Sequence, residues 1–92
     1  MNEITKLRAQ IDKIDEELLD LIAGRVELVR QIGIEKKKDG IGVVDEDRER
    51  KILNELMLKA GEKGINPEIV KKVWKVLIDI SYEIEGAKNG NS

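Results

Sequence analysis

Ninety-two residues, 39% of them charged yet with a net charge of only −2, bound one small domain with a limited core of its own. The absence of cysteine and histidine excludes disulfides, thiolate zinc sites, cysteine nucleophiles and Ser-His-Asp triads. A nucleic-acid binder would carry a basic surplus and stacking aromatics, whereas this chain has balanced charge and two aromatics, Trp74 and Tyr82. No leader-like segment and no run of 18 apolar residues is present, so a cytoplasmic location without a membrane partner is expected.

The first predicted element is one helix from about 3 to 38, free of proline and amphipathic throughout. Its apolar seam runs Ile4, Leu7, Ile11, Ile14, Leu18 and Leu21, lands on Arg25, and resumes at Leu28 and Ile32. Gly24 and Gly33 interrupt the helix without shifting the seam, and Lys36, Lys37 and Lys38 suit the negative end of its dipole. Asp39-Gly40-Ile41-Gly42 reads as a loop. Asp45 is a plausible cap for a second helix, 45–61, whose apolar face is Ile52, Leu53, Leu56, Met57 and Ala60; Gly61 and Gly64 mark its end. Asn66-Pro67 starts a third helix, 67–86, with Ile69, Val70, Val73, Trp74, Leu77, Ile78 and Ile84 facing inward, before a polar tail from 87 to 92 that should fray. The fold class is therefore all-α, one long helix and two shorter ones, in a single domain spanning 1–92. A helix of some 35 residues is about 50 Å long, far longer than a compact chain of this size with its radius of gyration of about 12 Å. The protruding half is apolar along its seam, and a second copy of the chain is the simplest cover, giving an intertwined helical homodimer.

Several polar residues lie on apolar faces. Arg25 keeps its charge always, so it needs an acidic partner, a register-setting role, or a cavity that an anion enters. Lys36 lies eleven residues on, nearly three whole turns, and points almost the same way. Ser81 and Glu85 share the stripe of Trp74, Leu77 and Ile78, and Glu49 shares that of Ile52 and Leu53. Singly, each has an ordinary structural explanation. Together, cations, a hydroxyl and two carboxyls describe a polar cavity for a small dianion carrying a hydroxyl group.

These residues also carry a family resemblance. Leu7-Arg8, Ile11 to Ile14-Asp15, Leu21-Ile22-Ala23-Gly24-Arg25, Glu27-Leu28, Gly33, Lys36, the block Val44-Asp45-Glu46-Asp47-Arg48-Glu49-Arg50, Leu77-Ile78 and Ser81 together resemble an all-helical chorismate mutase of the AroQ class. The resemblance spans about residues 4 to 86, and the joint spacing of its polar residues is more specific than any single motif. It implies conversion of chorismate to prephenate in phenylalanine and tyrosine biosynthesis, with no metal or cofactor. It further implies that Arg25, with Ser81 and Arg48, holds the ring carboxylate. Lys36 would bind the side-chain carboxylate and donate to the breaking ether oxygen. Arg8, given by the other subunit, would hold that same carboxylate, and Glu49 with the backbone amide of Asp45 would take the ring hydroxyl. Lys36, Arg25 and Glu85 are thus the expected catalytic residues.

Two departures from the family pattern stand out. Gly24 replaces a larger residue, which bears on packing. Glu85 stands where many relatives carry Gln, and a carboxyl can donate to the ether oxygen only when protonated. Burial would favour the neutral form and the neighbouring cations the charged one, and the sequence leaves both open. Turnover is expected to fall as pH rises through the ionisation of Glu85. The alternatives are an isochorismate-pyruvate lyase of the same fold, decided in the loop from Asp39 to Val44, or a non-catalytic helical dimerisation module.

Overall fold

The computed structural model describes residues 2–86; the tail expected to fray, 87–92, lies outside them. The architecture is all-α, in the order α1 (Glu3–Asp39), α2 (Glu46–Glu62) and α3 (Pro67–Glu85), with no strand among the described residues. Each helix starts on a side chain that satisfies an otherwise orphaned amide. Asn2 accepts from the Thr5 amide at 3.0 Å, Asp45 from the Arg48 amide at 3.0 Å, and Asn66 from the Glu68 amide at 3.0 Å.

The helix ends are equally local. Gly40 adopts φ 69°, and the amides of Gly40 and Ile41 turn back to the carbonyls of Lys37 and Lys36, closing α1 with its three lysines in the last turn. Gly64, at φ 75°, does the same for α2, where Ile65 donates to the Ala60 carbonyl at 2.8 Å. Gly61 lies within α2 rather than marking its end, because the left-handed residue that stops the helix is Gly64.

α3 is the hub. It packs on both α1 and α2, whereas the backbones of α1 and α2 do not approach each other closely. The core is correspondingly small: Val29, Leu53, Ala60 and Ile78 are its buried apolar residues. The molecule extends over 57 × 24 × 24 Å with a radius of gyration of 16.6 Å, well above the compact value, because roughly the first half of α1, exposed up to Gly24, stands clear of the other helices. Along that stretch Ile4, Leu7, Ile11, Ile14, Leu18, Leu21 and Ile22 are all exposed. Ile69 and Val73, expected to face inward, are also about half exposed, so this part of the apolar face of α3 is left uncovered by the other two helices. Gly33 has a different character. A Cβ there would meet the Glu85 Cα at 3.0 Å, so the missing side chain is what lets α3 lie against α1 at this point.

Candidate functional site

Where α1, α2 and α3 converge, a cavity of about 250 Å³ opens among Arg25, Val29, Ile32, Lys36, Asp45, Arg48, Glu49, Ile52, Ile78, Ser81, Tyr82 and Glu85. Seven of the eight site residues expected from the sequence therefore share one wall: Arg25, Lys36, Asp45, Arg48, Glu49, Ser81 and Glu85. The eighth, Arg8, is exposed and does not line this cavity. It lies 28 residues from Lys36 on the same straight element, about 42 Å of rise.

Arg25 is half-buried and held from α3. Its Nη1 donates to the Leu77 carbonyl at 3.2 Å and makes a short hydrogen bond to Ser81 Oγ. Ser81 in turn donates to the Leu77 carbonyl at 2.8 Å, the usual way a helical serine satisfies its hydroxyl. No carboxylate pairs with Arg25 among the described residues, so of the three readings of this arginine the acidic-partner one is not what the structure contains. The guanidinium keeps most of its donors for something else.

Lys36 is fastened twice. Its Nζ donates to the Val43 carbonyl at 2.7 Å and lies 2.6 Å from Glu85 Oε1. Both side chains are largely enclosed, at 19% and 6% exposure, so Glu85 is no solvated residue at a helix end. Their contact is an ion pair without hydrogen-bond alignment, and the buried Oε1 accepts no aligned hydrogen bond. That leaves an acceptor in the cavity which a rearranged donor could use.

Glu49 enters from the first turn of α2, one turn beyond the capping Asp45. Its Oε2 accepts from the Tyr82 hydroxyl at 3.1 Å, and the same hydroxyl lies 3.3 Å from the Asp45 carbonyl oxygen. Burial pushes the Tyr82 phenol above its ordinary value, the Asp45 carbonyl pulls it back, and the negative charge of Glu49 raises it again. Sequence reasoning missed Tyr82 as a site residue. The available signal was its position four residues after Ile78, on the inward stripe, as one of just two aromatics in the chain. Val29, Ile32, Ile52 and Ile78 supply the apolar remainder of the wall.

The arrangement offers three cations, Arg25, Lys36 and Arg48, with three carboxyls and two hydroxyls around an apolar remainder, Ser81 beside Arg25 and Glu85 beside Lys36. It can clamp a small ligand bearing two anionic groups, and its serine is not poised as a nucleophile, since the Ser81 hydroxyl donates to the Leu77 carbonyl and accepts from Arg25 rather than facing a base. No described helix is long and apolar enough to cross a membrane.

Comparison with known proteins gives a consistent picture. The family described as chorismate mutase type II matches residues 7–86. The T-protein of Enterobacter agglomerans is 36% identical over 86 residues, covering 94% of this chain and 23% of the relative. A bifunctional chorismate mutase/prephenate dehydratase of Aquifex aeolicus is 39% identical over 89 residues, covering 95% of this chain and 23% of the relative. A chorismate mutase of Methanocaldococcus jannaschii is 29% identical over 79 residues, covering 86% of this chain and 80% of the relative. The chain thus spans about a quarter of the T-protein and of the bifunctional relative, and most of the length of the archaeal one.

Proposed function

The chain belongs to the chorismate mutase type II family, and from that premise we propose that it catalyses the Claisen rearrangement of chorismate to prephenate in a site shared between two copies. The observation that carries this reading is the presence of Arg25 and Lys36 in one cavity, with Ser81, Glu85 and Glu49 beside them.

The reaction breaks one C–O bond and forms one C–C bond in a single step, so it asks for positioning and electrostatics rather than a nucleophile. Arg25, already oriented by Ser81 and Leu77, holds the ring carboxylate, with Arg48 at the rim. Lys36 holds the side-chain carboxylate and directs its ammonium at the ether oxygen, where negative charge grows as the bond stretches. Clamping both carboxylates keeps the substrate in the compact conformer whose reacting carbons lie within reach. The low end of enzymatic acceleration, on the order of 10⁶, requires about 8 kcal/mol. A clamp and one well-aimed cation each supply several kcal/mol, roughly enough together.

Glu85 is placed to act as the second group at the ether oxygen. Its pairing with Lys36 supports a charged carboxylate in the arrangement described, whereas a donor role asks for a proton on it. On this reading Glu85→Gln, whose amide always carries a donor, maintains or raises turnover.

Arg8 enters from a second copy. Two antiparallel α1 helices would cover the exposed seam and carry Arg8 of one chain to the Lys36 end of the other's cavity. The seven exposed Ile and Leu residues of that seam support this, since each large aliphatic side chain fully covered is worth about 1.5–3 kcal/mol.

Following the ultraviolet absorbance of chorismate in the presence of the protein tests the reading. Loss of chorismate with appearance of prephenate is expected. Inertness towards chorismate with turnover of isochorismate would make it a lyase, and inertness towards both would leave a helical pairing module.

A further inference from the structure

Tyr82 is the one tyrosine of the chain, and a single hydroxyl ties it to two parts of the cavity wall. The phenol has one O–H, and within 3.1–3.3 Å it finds both Glu49 Oε2 and the Asp45 carbonyl oxygen. These acceptors belong to the same turn. Asp45 caps α2, and the Glu49 amide donates to the Asp45 carbonyl at 3.0 Å. Tyr82 therefore pins from α3 the turn that opens α2, while Lys36 pins the preceding loop from α1 through the Val43 carbonyl.

The charge pattern says what this corner is for. Glu85 faces the ammonium of Lys36, and the capping Asp45 carboxylate is engaged by the Arg48 amide. Glu49 faces the cavity with the Tyr82 hydroxyl as its hydrogen-bond donor. A ligand with two anionic groups can sit against that carboxylate only if it presents a donor there, and a ring hydroxyl is such a donor.

We propose that Tyr82 is a positioning residue that sets the hydroxyl-reading corner of this site: it holds the Glu49 carboxylate and the Asp45 turn in place, and so makes the chain select a ring that carries a hydroxyl. The proposal rests on the substrate reading given above. Without the phenol oxygen, Glu49 loses its donor and swings between cavity and solvent, and the corner no longer distinguishes a hydroxylated ring from a bare one.

A ligand-based double cycle tests it. Wild type and Tyr82→Phe are compared on chorismate and on the analogue with hydrogen in place of the ring hydroxyl. Tyr82→Phe is expected to lower kcat/KM for the hydroxylated substrate by about threefold to tenfold, the worth of one hydrogen bond, mainly through KM. On the deoxy analogue the same substitution should change kcat/KM by less than about twofold, since the group it serves is missing. Equal losses on both substrates would overturn the proposal, because a merely structural role damages both alike.

A second readout needs neither the variant nor turnover. With tyrosine labelled at Cζ, the single Tyr82 resonance should move when the hydroxylated ligand binds and stay within the line width when the deoxy analogue binds. Equal shifts would overturn the role of Tyr82. Failure of wild type to convert chorismate would instead overturn the assigned reaction, with the resonance still deciding whether Tyr82 is coupled to the hydroxyl-reading corner.

Discussion

The two ends of α1 share one helical period and differ in both pattern and surroundings. From Ile4 to Ile22 the seam is apolar, regular and exposed; from Arg25 to Lys36 it carries two cations and is partly enclosed by α3. One continuous helix thus presents an exposed apolar surface at one end and cavity-lining charges at the other. The comparison teaches that the regular stretch of the seam is the exposed one, and that the breaks in regularity are the residues that line the cavity.

The largest effect should come from the irregular end. Lys36→Ala removes a charge asked to act more strongly on the transition state than on the substrate, so the turnover number should fall by at least ~10²-fold. Arg25→Ala should raise KM as well, since that clamp serves both states. A Lys36→Ala protein with wild-type turnover and merely weaker binding would contradict the division of roles.

The regular end is tested by mixing. Arg8→Ala and Lys36→Ala chains, each inactive alone, should recover up to about a quarter of the wild-type rate after subunit exchange, because half the dimers are hybrids with one intact site of two. No recovery after verified exchange would separate the two ends of the helix for good.

Glycines sharpen the contrast on a smaller scale. Gly24 has nothing within 4 Å of where its Cβ would stand, whereas Gly33 faces the Glu85 backbone at 3.0 Å. Gly24→Ala should raise stability by about 0.5–1 kcal/mol through helix propensity. Gly33→Ala should lower it by about 1–3 kcal/mol by overpacking, and should lower turnover too by moving Glu85 away from Lys36. Thermal melts and kinetics on the two variants decide this; equal responses would remove the distinction.

The smallest effect concerns Tyr82. Its phenol is raised in the folded state, so the folded chain holds that proton more tightly than the unfolded one. The resulting stability is fully present below the ordinary tyrosine value of ~10 and is lost as pH rises through the folded value. Tyr82→Phe should therefore show a slightly shallower decline in melting temperature above pH ~10 than wild type does.

Much of this was legible in the sequence, for reasons that can be named. Asp45, Asn66-Pro67 and the Lys36-Lys37-Lys38 turn are short-range signals, and helix ends are decided at short range. Arg25, Lys36, Ser81 and Glu85 stood out because each violates an apolar stripe, and the structure gathers them in one cavity. Tyr82 did not stand out, because a tyrosine on an inward stripe violates nothing; only the meeting of α3 with the start of α2 shows what its hydroxyl reaches. The exposure of Ile69 and Val73 was equally hidden, since periodicity states that a face is apolar and not which neighbour covers it. The pairing of Lys36 with Glu85 required the crossing at Gly33, a contact between residues far apart in the chain.

The position of α3 as the one element packed on both others has a kinetic consequence. The Lys36 bond to Val43 closes over seven residues, whereas the Arg25 bonds to Leu77 and Ser81 close over 52 and 56. Contacts of such separation wait on loop closure and form late, after the local turns have settled. Refolding should therefore show helical signal returning before ligand binding does. On unfolding, the order should reverse, with ligand binding lost before the helical signal.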